Sequence, residues 1–89
     1  MPKYIKIHDV RYESVKENDK RWHKAVEGNI YAVFIDQIIY IFPNDVEHSL
    51  PYDNHQKVKD GCVITLNDDK LLLAWESLEE VLKLINEAE

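Results

Sequence analysis

The chain has 89 residues, 45% of them hydrophobic, and a formal net charge of −6. That is one domain with enough apolar content for an ordinary core, which excludes both a two-domain protein and a disordered chain. The acidic balance excludes a general nucleic-acid binder, which needs a basic face to displace counterions, and a single cysteine, Cys62, excludes a disulfide-held scaffold.

The charge is uneven: residues 1–27 hold seven Lys/Arg against five Asp/Glu, and residues 28–89 hold four against twelve. Nothing in the chain is an apolar run of membrane-spanning length, and the start, MPKYIKIHDV, lacks the apolar block of a secretion signal. A cytoplasmic protein that does not enter a membrane is expected.

Residues 3–8 (KYIKIH) alternate, with Ile5 and Ile7 on one face, and predict a half-buried strand. Ser14-Val15-Lys16-Glu17 has the form of a capping box. Val15, Trp22 and Val26 then share a helical face ahead of Gly28, which predicts an N-terminal helix over about 15–27. The competing reading is a hairpin turning at Glu17-Asn18-Asp19-Lys20, with Trp22, Lys24 and Val26 alternating along its second arm. The helix is preferred. It would align Lys16, Lys20 and Lys24 as a basic stripe, read as a solvated face.

Residues 30–42 (IYAVFIDQIIYIF) are the most apolar stretch, mostly β-branched or aromatic, and predict β-structure in the middle of a sheet. Asp36-Gln37 interrupts the run, and a hairpin turning over Ile35 to Ile38 is preferred to one long strand that would bury Asp36 unpaired. Pro43 is expected to stop the sheet. Residues 43–61 then read as a long, partly pinned loop, with one short helical turn capped near Asn44 and running through Leu50. Residues 62–66 and 70–75 flank Asn67-Asp68-Asp69 as a second hairpin. Ser77-Leu78-Glu79-Glu80 caps a C-terminal helix whose apolar stripe is Leu78, Val81, Leu82 and Ile85. The expected fold is α+β: a small antiparallel sheet of about five strands, with an N-terminal and a C-terminal helix packed on one face.

The residues that carry chemistry are scattered. The four histidines, His8, His23, His48 and His55, show no metal-ligand spacing. Cys62 opens an apolar strand in an acidic segment and reads as a small buried hydrophobe rather than a nucleophile. No phosphate loop, nucleophile elbow or cofactor motif is present, so no cofactor is expected. The acids of the 44–60 loop have no role in capping or turns. That makes Asp45, Glu47, His48, Tyr52, Asp53 and His55 the candidate contact surface, with Tyr52 as its aromatic anchor.

In size, acidity and lack of catalytic motifs the chain resembles, in a general way, small inhibitor or immunity proteins of bacteria and their phages, although no particular residue carries the likeness. The expected function is a non-enzymatic interaction module, an inhibitor, immunity or anti-defence type of protein, presenting the 45–60 segment to a more basic protein partner. Two alternatives stand beside it: a homo-oligomer that binds a small ligand between subunits, and a metal-assisted hydrolase built on His48 and His55.

Overall fold

The computed structural model describes residues 3–51 and 54–88. Five antiparallel strands close into a barrel in sequential order: β1 (Tyr4–Glu17), β2 (Lys20–Phe34), β3 (Ile38–Ser49), β4 (His55–Leu66) and β5 (Leu71–Ala74). A 3-10 turn (Ile35–Gln37) links β2 to β3, and the helix α1 (Leu78–Ala88) ends the chain. Among the described residues no helix is long and apolar enough to cross a membrane.

The expected N-terminal helix is absent, so the two-helix α+β arrangement is corrected to a sheet with one C-terminal helix. Residues 15–27 belong to a long β1–β2 hairpin instead, registered from Tyr4↔Phe34 to Glu17↔Lys20. Its turn is Asn18-Asp19, both at positive φ (52° and 63°). Two consecutive left-handed residues make the tight turn whose twist matches the flanking strands, and Asn and Asp tolerate that conformation. The turn chemistry outweighs the capping box. Ser14 faces His23 across the ladder, and the basic stripe is divided: Lys16 lies opposite Arg21, while Lys20 and Lys24 lie opposite Glu17 and Glu13.

Two further expectations change. The break at Asp36-Gln37 is real, yet its flanks do not form a hairpin: β2 pairs with β1 and β3 with β4, and β2 meets β3 only at His23↔Ser49. The run 30–42 is β-structure on either side of the 3-10 turn but mostly not interior, for only Val33 in it is buried, while Ile30, Tyr31, Phe34, Ile39, Tyr40 and Phe42 are exposed. The expected 43–61 loop is largely strand. Pro43 pairs with Cys62 inside β3, and it is tolerated because β3 has no partner strand beside it there among the described residues, an edge where a missing N–H costs little.

From Cys62 onward the order of hairpin and helix follows expectation. Leu66 N–H donates to the Lys70 carbonyl (2.9 Å) and Asp69 takes positive φ (65°), closing the β4–β5 hairpin. The Ser77 hydroxyl accepts from Glu80 N–H (3.1 Å) at the start of α1. Val81 is buried, with Leu78, Leu84 and Ile85 packed beside it, whereas Leu82 is exposed.

The core joins Ile5, Ile7 and Val33 to Cys62, Ile64, Ala74 and Val81. It occupies one end of a molecule 52 × 24 × 19 Å across. Ala25 and Val46 are buried outside that cluster, where the two long hairpins run side by side.

Candidate interaction cleft

The hairpins β1–β2 and β3–β4 diverge around an open cleft of about 680 Å³. On the β3–β4 side stand Asp45, Glu47, Ser49 and His55; on the β1–β2 side stand Tyr12 and His23. Asn44 and Leu73 line it as well, and β3 is bulged between Val46 and Glu47. Three of the six expected contact residues, Asp45, Glu47 and His55, are thus gathered on one wall.

The wall is acidic with little compensation. Lys57 Nζ lies 2.6 Å from Asp60 and 3.5 Å from Asp45, one cation serving two carboxylates. The hydrogen bond to Asp60 and the Asp45 charge raise the Lys57 pKa, and the same Lys57 contact lowers that of Asp60. His55 Nδ1 is 3.8 Å from Glu47, beyond hydrogen-bond reach. All these groups are well exposed, so the pairs add little to stability and stay accessible to a ligand.

His48 is elsewhere. Its neighbours Glu47 and Ser49 face the cleft, and its own ring turns to β2, where Nδ1 accepts the Ala25 N–H at 2.9 Å and the Trp22 ring meets it edge-on at 5.2 Å. A backbone N–H can only donate, so Nδ1 is the acceptor in this contact. His48 fills in for a missing ladder partner of β2. It is a joint between the hairpins. Tyr52 and Asp53 lie outside the described residues.

A second polar cluster had no signal in the sequence. His8 Nδ1 donates to Glu76 Oε2 (2.8 Å), its backbone N–H donates to Glu76 Oε1 (2.7 Å), and its Nε2 faces Glu27 Oε1 at 3.0 Å. Both ring nitrogens face carboxylate oxygens, an arrangement that favours the protonated ring. The Glu76 hydrogen bond raises the His8 pKa against the opposing effect of burial, helped by the charges of Glu27, Glu76 and Asp9. The cluster sits where the barrel closes, at Asp9↔Ala74, with Trp75 N–H donating to the His8 carbonyl (2.8 Å).

Among the described residues no three His, Cys, Asp or Glu side chains are placed to hold one metal ion, and His48 and His55 diverge from adjacent cross-strand positions. Burial, with Glu76 and Glu80 nearby, pushes the Cys62 thiol up to about 11, so it stays protonated and inert.

Sequence reasoning missed Tyr12, His23 and Ser49 in the cleft. The signal was the Asn18-Asp19 turn, which would have aligned Ser14 with His23 and placed the first hairpin opposite the second.

Fold and site together define a small five-stranded barrel with a C-terminal helix and an acidic cleft between two protruding hairpins. No protein-family model, curated protein or solved structure matches this chain.

Proposed function

We propose that the chain is a non-enzymatic interaction module of the cytoplasm, an inhibitor or adaptor, and that the cleft between its hairpins takes a basic segment of a protein partner. The observation that carries this reading is the acidic wall: Asp45 shares Lys57 with Asp60, which does not line the cleft, and among the described residues no cation hydrogen-bonds Glu47, whose neighbour His55 is 3.8 Å away. An arriving guanidinium or ammonium meets carboxylates on one wall, with the half-exposed Tyr12 also lining the cleft, where its ring face would attract a cation. The acidic surface also favours fast encounter with a basic partner and slower encounter at high salt.

A synthetic peptide rich in Lys and Arg, titrated into the labelled protein and followed by NMR, tests this. The expected shifts centre on Tyr12, His23, Glu47 and Ser49. The double variant Asp45→Lys/Glu47→Lys should weaken binding at least tenfold, about 1.4 kcal/mol. Asp36→Lys/Glu87→Lys, at two exposed positions that do not line the cleft, changes the net charge equally and should weaken it far less. Equal losses in the two variants would reduce the effect to bulk charge and remove the cleft as a site.

A further inference from the structure

We infer that the segment taken by the cleft is amphipathic, and that its apolar part lies on the outer face of β3, β4 and β5. This rests on the cleft reading above and adds to it the chemistry of the ligand. The strand register fixes the face. Phe42 lies opposite Val63, and Val63 opposite Leu73; two residues along, Tyr40 lies opposite Thr65, and Thr65 opposite Leu71. Directly opposed residues, and residues two apart on one strand, project to the same side of a sheet. The row between them, Ile41, Ile64 and Leu72, projects to the other side and belongs to the core with Val81 of α1.

The two outer rows hold no charged side chain, and Tyr40, Phe42 and Leu71 in them are 56%, 41% and 68% exposed. Their far rim is the β4–β5 turn, where Lys70 and Asp68 pair at 3.6 Å. Their near rim is the cleft itself. Leu73, and Asn44 two residues beyond Phe42, line it together with Tyr12, Asp45 and Glu47. The apolar face therefore begins where the acidic wall ends. Its two rows are about 7 Å apart, the stride of two residues in an extended chain. A ligand with cations against Asp45 and Glu47 needs only two or three further residues to cover both rows.

Area and charge favour this occupant over a second copy of the chain. At roughly 200 Å² for side chains of this size, the three exposed ones leave about 300 Å². That falls well short of the roughly 800 Å² per partner of a stable interface, and two chains at −6 each repel. A short apolar flank needs no more area than the face offers, because its cations are held next door. Apolar patches of this size on single chains are often functional.

Two sets of synthetic peptides, titrated into the labelled full chain by NMR, test the inference. Each has the same Lys/Arg core, extended at one end or the other by a few leucines or by as many serines. In at least one orientation leucine should tighten binding at least about tenfold over serine, a modest part of what burying such side chains gives. The added shifts should fall on Val63, Leu71 and Leu73. Leu71→Ser, or Tyr40→Ser if the first variant loses its far-UV circular dichroism, should erase the difference between the peptides. Leu82→Ser, at an exposed leucine on α1, should preserve it. Serine peptides that bind the cleft with no gain from leucine, or a gain that survives both face variants, would overturn this inference and leave the cleft reading standing. A parent chain that binds no peptide would overturn both. A chain that sediments as a dimer during the titration, and that the leucine peptides do not dissociate, would give the face to a second copy and overturn the inference.

Discussion

His8 shows how much one side chain can join. It links β1 to β2 through Glu27 and to the approach of α1 through Glu76. Its pKa is raised in the folded protein, so folding favours the protonated ring. The resulting stability is fully present below the ordinary histidine value of about 6.5 and is lost as pH rises through the folded pKa. Thermal melts across that interval should show a decline on the alkaline side, and an NMR titration should place His8 above the ordinary histidine value. Glu76→Gln removes the main cause, so it should bring the His8 titration back toward its ordinary value and flatten the decline. A His8 that titrates alike in both proteins would refute the link.

At the scale of elements, β4 depends on a close approach at Gly61. A Cβ there would lie 2.6 Å from Val46 Cγ2 and 2.8 Å from the Ala74 carbonyl oxygen. The valine can rotate, but the carbonyl belongs to the neighbouring strand. Gly61→Ala should therefore cost about 1–3 kcal/mol, the usual range for overpacking, read from denaturant melts. A neutral substitution would mean that the β4–β5 ladder yields there.

The elements also show what was legible in the sequence. The β4–β5 hairpin and α1 could be read because their signals agree: Asn67-Asp68-Asp69 asks for a turn, and Ser77 with a helical apolar stripe asks for a capped helix. Residues 14–28 carried two conflicting signals, a capping box and an Asn-Asp turn. Pairing with residues 4–13, invisible to local pattern, decided between them. Pro43 misled for a related reason, since it stops a central strand but not an edge, and edge status belongs to the whole sheet. The candidate site was half legible. Asp45, Glu47 and His55 were named from charge alone, while their partners across the cleft depended on the hairpin that was misread.

At the scale of the molecule, the two long hairpins are internally complete and joined sparingly. β1 meets β5 at Asp9↔Ala74 and β2 meets β3 at His23↔Ser49, each a single registered pair. Local opening follows the distribution of such contacts. In hydrogen exchange, the amides that bridge the joints, Trp75 to the His8 carbonyl and Ala25 to His48, should exchange well before the Ile64 amide in the β4 core. Equal protection at all three would mean that the joints open only with global unfolding.

Pro43 has one more effect. Around it lie Tyr40, Phe42 and the rest of an apolar strand whose outer side has no neighbour among the described residues, the kind of template on which fibrils grow. A strand arriving there from another molecule would find no donor at position 43 and would lose its register. The residue that seemed to end the sheet thus guards it against endless extension.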